Sequence, residues 1–125
     1  MSIRCFQHPG YSNDLRFLND FALLKLAQSA TISPTVGIVC LAVDPSNRFV
    51  GVDLTVSGWG DTYHGKGEPS PELRKTSVVG ITQELCQWKY QNAEYKYQIF
   101  PQYHLCAEAV NTDACRGDSG GNYLS

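Results

Sequence analysis

Asp113-Ala114-Cys115-Arg116-Gly117-Asp118-Ser119-Gly120-Gly121 is the stretch on which the reading of this chain turns. A serine set among three glycines can sit on a tight turn. Its hydroxyl then stands exposed, and the neighbouring backbone N–H groups are free to point together at a developing oxyanion, the geometry that acyl transfer needs. At ordinary Gly, Asp and Ser usage, Gly-Asp-Ser-Gly-Gly arises by chance in roughly one chain in ten thousand of this length. The plainer alternative is a glycine-rich turn that carries a solvent-facing serine.

Working outward, the rest of the chain is densely punctuated, with 11 Gly and 6 Pro in 125 residues. Short β-branched and apolar runs lie between them at residues 21–27, 37–43, 50–57, 75–81 and 103–110. Runs of this length, bounded by Gly, Pro, Asn and Asp, predict the strands of an all-β domain. Residues 61–71 are polar and rich in Gly and Pro, which predicts an exposed loop. One helix is predicted over 82–90, with Thr82 as its N-cap and Leu85, Cys86 and Lys89 one turn apart. Periodicity leaves a β-sandwich and a β-barrel equally open.

Composition narrows the function classes. With 42% hydrophobic and 18% charged residues the chain is globular in character, one domain or part of one. Ten basic against twelve acidic side chains give a net charge of -2, which offers no electrostatic ground for a nucleic-acid or anionic-membrane partner. No run of eighteen apolar residues is present to form a spanning helix. Five cysteines match the usage of secreted chains, and an odd number means that at least one is free or pairs outside the chain. The N-terminus carries Arg4 and no apolar stretch behind it, so we expect the front of the protein to lie upstream of Met1. Neither Cys-x-x-Cys nor His-x-x-x-His spacing occurs, so no metal site and no cofactor are expected.

Gly117-Asp118-Ser119-Gly120-Gly121, preceded by Asp113-Ala114-Cys115, resembles the nucleophile signature of the trypsin-like, chymotrypsin-fold serine proteases. Three further segments fall in that family's order. Asn19-Asp20-Phe21-Ala22-Leu23-Leu24-Lys25-Leu26 resembles the segment around its catalytic aspartate, and Val56-Ser57-Gly58-Trp59-Gly60 the turn that enters its second barrel. His104-Leu105-Cys106-Ala107 resembles the strand before its specificity loop. The resemblance implies a truncated chymotrypsin-like double β-barrel: the end of the first barrel and most of the second, with one short helix. Residues 1–125 would then be a partial peptidase domain.

Carried over residue by residue, the resemblance implies that Ser119 is the nucleophile and that the Gly117 and Ser119 N–H groups form the oxyanion hole. It makes Asp20, 99 residues before Ser119, the carboxylate that orients the catalytic histidine. Asp118 becomes the group that captures the new N-terminal ammonium after zymogen cleavage. Asp113, six residues before Ser119, falls at the floor of the primary substrate pocket. A carboxylate there favours Arg or Lys at the cleaved bond. Cys86 and Cys106 match a family disulfide, Cys115 a cysteine whose partner lies downstream, and Cys40 one that tethers an upstream light chain. Cys5 matches no family position.

The resemblance also marks what the chain lacks. No Thr-Ala-Ala-His-Cys-like segment precedes Asp20. His8 sits in a His-Pro-x-Tyr segment that the family carries elsewhere on its surface, and His64 and His104 match no catalytic position. Asn122 stands where the family usually has proline. The expected function is a secreted serine endopeptidase acting on proteins or peptides, without nucleic acid or membrane as partner. The alternatives are a non-catalytic homologue that binds partners through the same fold, and an inactive truncated product.

Overall fold

The computed structural model describes residues 3–12, 14, 17–44, 46–63, 67–93 and 97–124. In chain order the elements are β1 (Ile3–Gln7), β2 (Ala22–Leu26), β3 (Asp53–Gly58), β4 (Arg74–Ile81), α1 (Gln83–Asn92), β5 (Cys106–Glu108) and β6 (Tyr123–Leu124). They fall into two units, Met1–Asn47 and Arg48–Ser125.

In the first unit β1 and β2 form an antiparallel ribbon with Cys5 opposite Leu24. The predicted strand at 21–27 is β2; its partner β1 was not among the predicted runs. Every residue of both strands is exposed, with Leu23 at 69% and Leu24 at 63%. The strand predicted at 37–43 does not form: these residues have no ladder partner among the described residues, and Ile38, Leu41 and Val43 are exposed. β-Branched composition favours an extended backbone, yet a strand also needs a ladder partner for its N–H and C=O groups. The nearest pairing is an isolated bridge between Ser33 and Val36.

The second unit holds a four-stranded antiparallel sheet in the order β5-β4-β3-β6. Val56 of β3 and Val78 of β4 are buried, and with Cys86 of α1 they form the buried apolar core. β3 begins three residues later than predicted because Phe49 and Gly51 take positive φ (54° and 74°) and turn the chain. α1 starts as predicted: the Thr82 side-chain oxygen accepts the Leu85 N–H at 3.2 Å. Among the described residues, several links fasten this helix to the segment after it. Cys86 is joined to Cys106 by a disulfide with Cα atoms 6.1 Å apart, and Lys89 Nζ lies 2.6 Å from Glu108 Oε2. Gln83 Nε2 also donates to the His104 carbonyl at 2.9 Å.

Candidate active site

The segment between β5 and β6 is built from two successive turns. The Asp118 N–H donates to the Cys115 carbonyl at 3.0 Å, and the Gly121 N–H donates to the Asp118 carbonyl at 2.9 Å. In each turn the third residue is a glycine at positive φ: Gly117 at 98° and Gly120 at 84°. A side chain at either position would be strained, which explains the glycines in Gly117-Asp118-Ser119-Gly120-Gly121. Ser119 follows the shared corner and is exposed. Among the described residues, neither the Gly117 nor the Ser119 N–H donates to a protein acceptor.

Asp118 seats these turns on the sheet. Its Oδ1 accepts the Gly60 N–H at 2.7 Å and its Oδ2 accepts the Cys115 N–H at 2.8 Å. A carboxylate receiving two backbone N–H groups is held more firmly than a neutral acceptor would be. The Asp61 N–H donates to the Arg116 carbonyl at 2.8 Å, a second tie between the same two segments. Space is the other requirement. A Cβ on Gly60 would lie 2.6 Å from the Asp118 carboxyl carbon, and one on Gly58 would overlap the same carboxylate. Gly58-Trp59-Gly60 is therefore the cradle for Asp118. The sequence marked this stretch only as a turn; the signal for the cradle is a glycine on each side of Trp59.

Asp113 lies five residues beyond the end of β5 and is exposed, with its Oδ1 accepting the Ala114 N–H at 2.7 Å. The neighbouring Thr112 hydroxyl receives the Thr76 hydroxyl of β4 at 2.9 Å, which fixes this part of the loop to the sheet. Asp113 and Asp118 both line an open cavity of about 630 Å³. Val56, Gly58, Arg74 and Thr76 contribute the sheet face of that cavity. Gly117 and Ser119 are not among its lining residues.

The remaining candidates sit apart from these turns in the chain. Asp20 is exposed in the first unit, immediately before β2, after an Asn19 at φ 56° whose Nδ2 donates to the Gly10 carbonyl. His8 is engaged locally: its Nδ1 accepts the Gly10 N–H at 3.0 Å and its ring packs 4.7 Å from Phe21. In the second unit His104 Nδ1 accepts the Phe100 N–H at 3.0 Å. Both histidines thus hold loops through a ring nitrogen. His64 lies outside the described residues. Cys5 and Cys40 are free and exposed, and Cys115 is free and half-buried. Among the described residues no cluster of side chains could hold a metal ion.

The chain is similar to known serine proteases in sequence and in fold. Trypsin alpha-3 of Lucilia cuprina is 38% identical over 129 aligned residues, which cover all of this chain and 72% of that protein. Serine proteinase stubble of Drosophila melanogaster is 35% identical over 116 residues, covering 91% of this chain and 14% of that protein. Among solved structures, neuropsin, a serine protease expressed in the limbic system of mouse brain, superposes with a TM-score of 0.78 at 28% identity. That match covers 97% of this chain and 52% of neuropsin, so the fold is the chymotrypsin-like one, present here in part. The family model described as Trypsin matches residues 2–125, and with it the strands, the Gly58-Trp59-Gly60 cradle and the double turn at Ser119 place this chain in the trypsin family of serine proteases.

Proposed function

We propose that residues 1–125 are part of the catalytic domain of a secreted serine endopeptidase that cleaves protein substrates after Arg or Lys. The observation that carries this reading is the double turn, which presents Ser119 on a segment clamped to the sheet through Asp118. Ser119 Oγ attacks the substrate carbonyl, forming a C–O bond, and the peptide C–N bond breaks to leave an acyl-enzyme. The proton from Oγ passes through a histidine, supplied from upstream of this chain, to the departing amine. Asp20 orients that histidine. The Gly117 and Ser119 N–H groups stabilise the oxyanion, which is consistent with their having no acceptor among the described residues. Water then attacks the acyl carbon and restores Ser119.

In the same reading Asp113 supplies the negative charge that a substrate Arg or Lys meets, and Asp118 receives the ammonium released by activation cleavage. Cys40, free and exposed, is the tether to an upstream light chain. Residues 1–125 alone lack the base, without which a serine hydroxyl is a weak nucleophile at neutral pH. The test is peptide hydrolysis by the longer protein and by this chain. Turnover by the former after Arg or Lys, abolished by Ser119→Ala, and none by the latter is expected. A longer protein that folds but cleaves nothing supports the binding homologue instead.

A further inference from the structure

Asp20 is the middle residue of a three-residue turn, in which the Phe21 N–H donates to the Asn19 carbonyl at 2.8 Å. The residues on either side of it are both held by one short segment, His8-Pro9-Gly10. On one side the Gly10 carbonyl accepts Asn19 Nδ2 at 2.9 Å, which ties down a residue whose φ of 56° lies in the left-handed region. On the other side the His8 N–H donates to the Phe21 carbonyl at 3.2 Å, and the His8 ring packs 4.7 Å from the Phe21 ring. His8 also closes the segment itself, since its Nδ1 accepts the Gly10 N–H at 3.0 Å. The fit is close: a Cβ on Gly10 would lie 3.3 Å from Asn19 Nδ2 and from His8 Nδ1 and Cε1.

We propose that His8 is a positioning residue for Asp20: its ring nitrogen closes the turn at Gly10, and the closed turn holds Asn19 and Phe21, between which Asp20 stands. This rests on the reading of Asp20 as the carboxylate that orients the catalytic histidine. A carboxylate in that role acts through direction, because it must meet one ring N–H nearly in line and hydrogen bonds weaken steeply as the angle closes. The backbone on both sides of Asp20 sets where its side chain starts. Without an acceptor at His8 the Gly10 turn opens, and its carbonyl no longer has a fixed place from which to hold Asn19. A non-glycine residue at positive φ then has lower-energy conformations to relax into. What the turn requires of residue 8 is an acceptor two residues before the Gly10 N–H. Asparagine offers one at that spacing, as in an Asx turn, whereas phenylalanine keeps a ring and loses the acceptor.

The experiment compares the longer protein with its His8→Phe, His8→Asn, Asn19→Gly and Asp20→Asn variants on one peptide that the parent cleaves, at a temperature where all are folded. His8→Phe should lower kcat about threefold to tenfold, the effect of one hydrogen bond, with KM within about twofold of the parent. His8→Asn should restore kcat to within about twofold of the parent, a rescue that packing against Phe21 alone would not give. Asn19→Gly keeps the left-handed backbone and removes the amide, so it should cost about as much as His8→Phe, and the double variant little more than either alone. Unchanged kcat in His8→Phe, an equal loss in His8→Asn, or fully additive losses in the double variant overturn the proposal. An Asp20→Asn variant that cleaves as the parent does overturns the underlying reading of Asp20, and the proposal with it. A defective Asp20→Asn beside an unaffected His8→Phe overturns the role of His8 alone.

Discussion

The Gly60 N–H donates to Asp118 Oδ1 at 2.7 Å across 58 residues of sequence, and the other oxygen of the same carboxylate accepts the Cys115 N–H. One side chain thereby joins the turn after β3 to the turn that carries Ser119. The turn that carries Ser119 is placed by this clamp, because the residues between are held by glycine-dependent turns and not by a regular ladder.

Gly60→Ala places a methyl group where the Asp118 carboxylate sits, since the added Cβ falls 2.6 Å from its carbon. Neither partner can retreat without losing a hydrogen bond. We expect a loss of about 1–3 kcal/mol in unfolding free energy, the usual cost of overpacking, measured by denaturant titration. Gly37→Ala is the control, because an added Cβ there meets nothing within 4 Å. Equal stability of the two variants would show that the cradle does not hold Asp118.

A tight turn at Ser119 and the helix cap were legible because each depends on local chemistry: closely spaced glycines, and a threonine oxygen in reach of an N–H three residues on; that the turn is double, with Gly117 and Gly120 at positive φ, came from the structure. The cradle was not, because it depends on the absence of side chains at Gly58 and Gly60 opposite a carboxylate 58 residues away. Strand composition misled at 37–43, where the apolar run finds no ladder partner among the described residues. It was silent at β6, two residues long and held only by pairing with Thr55 and Val56. Pairing is a property of the partner strand as much as of the sequence that pairs.

The Cys86–Cys106 disulfide closes a loop of 20 residues between α1 and β5. Loop-closure entropy assigns it about 3 kcal/mol. Replacing both cysteines by serine should lower the denaturation midpoint accordingly, and non-reducing peptide mapping of the parent should recover these two cysteines joined. Cys86 found bonded to Cys5 or Cys40 would overturn the register of the second unit.

Tyr123 carries a phenol pKa raised above its ordinary 10.0, by partial burial first and Asp113 second. The folded chain therefore holds this proton more tightly than the unfolded chain. The associated stability is fully present below pH 10.0 and is lost as pH rises through the folded value. We expect an alkaline decline in unfolding free energy that is shallower in Tyr123→Phe. Identical alkaline limbs for parent and variant would show that the phenol's surroundings do not hold its proton.

The most direct measurement of the central claim is covalent labelling of the longer protein with an aryl sulfonyl fluoride, followed by peptide mapping. Such a reagent reacts with an activated serine hydroxyl and leaves ordinary surface serines largely untouched. The account requires one stoichiometric adduct on Ser119, lost in Ser119→Ala and absent when residues 1–125 are treated alone. A folded longer protein with no adduct, or with its adduct on another residue, would contradict Ser119 as the nucleophile.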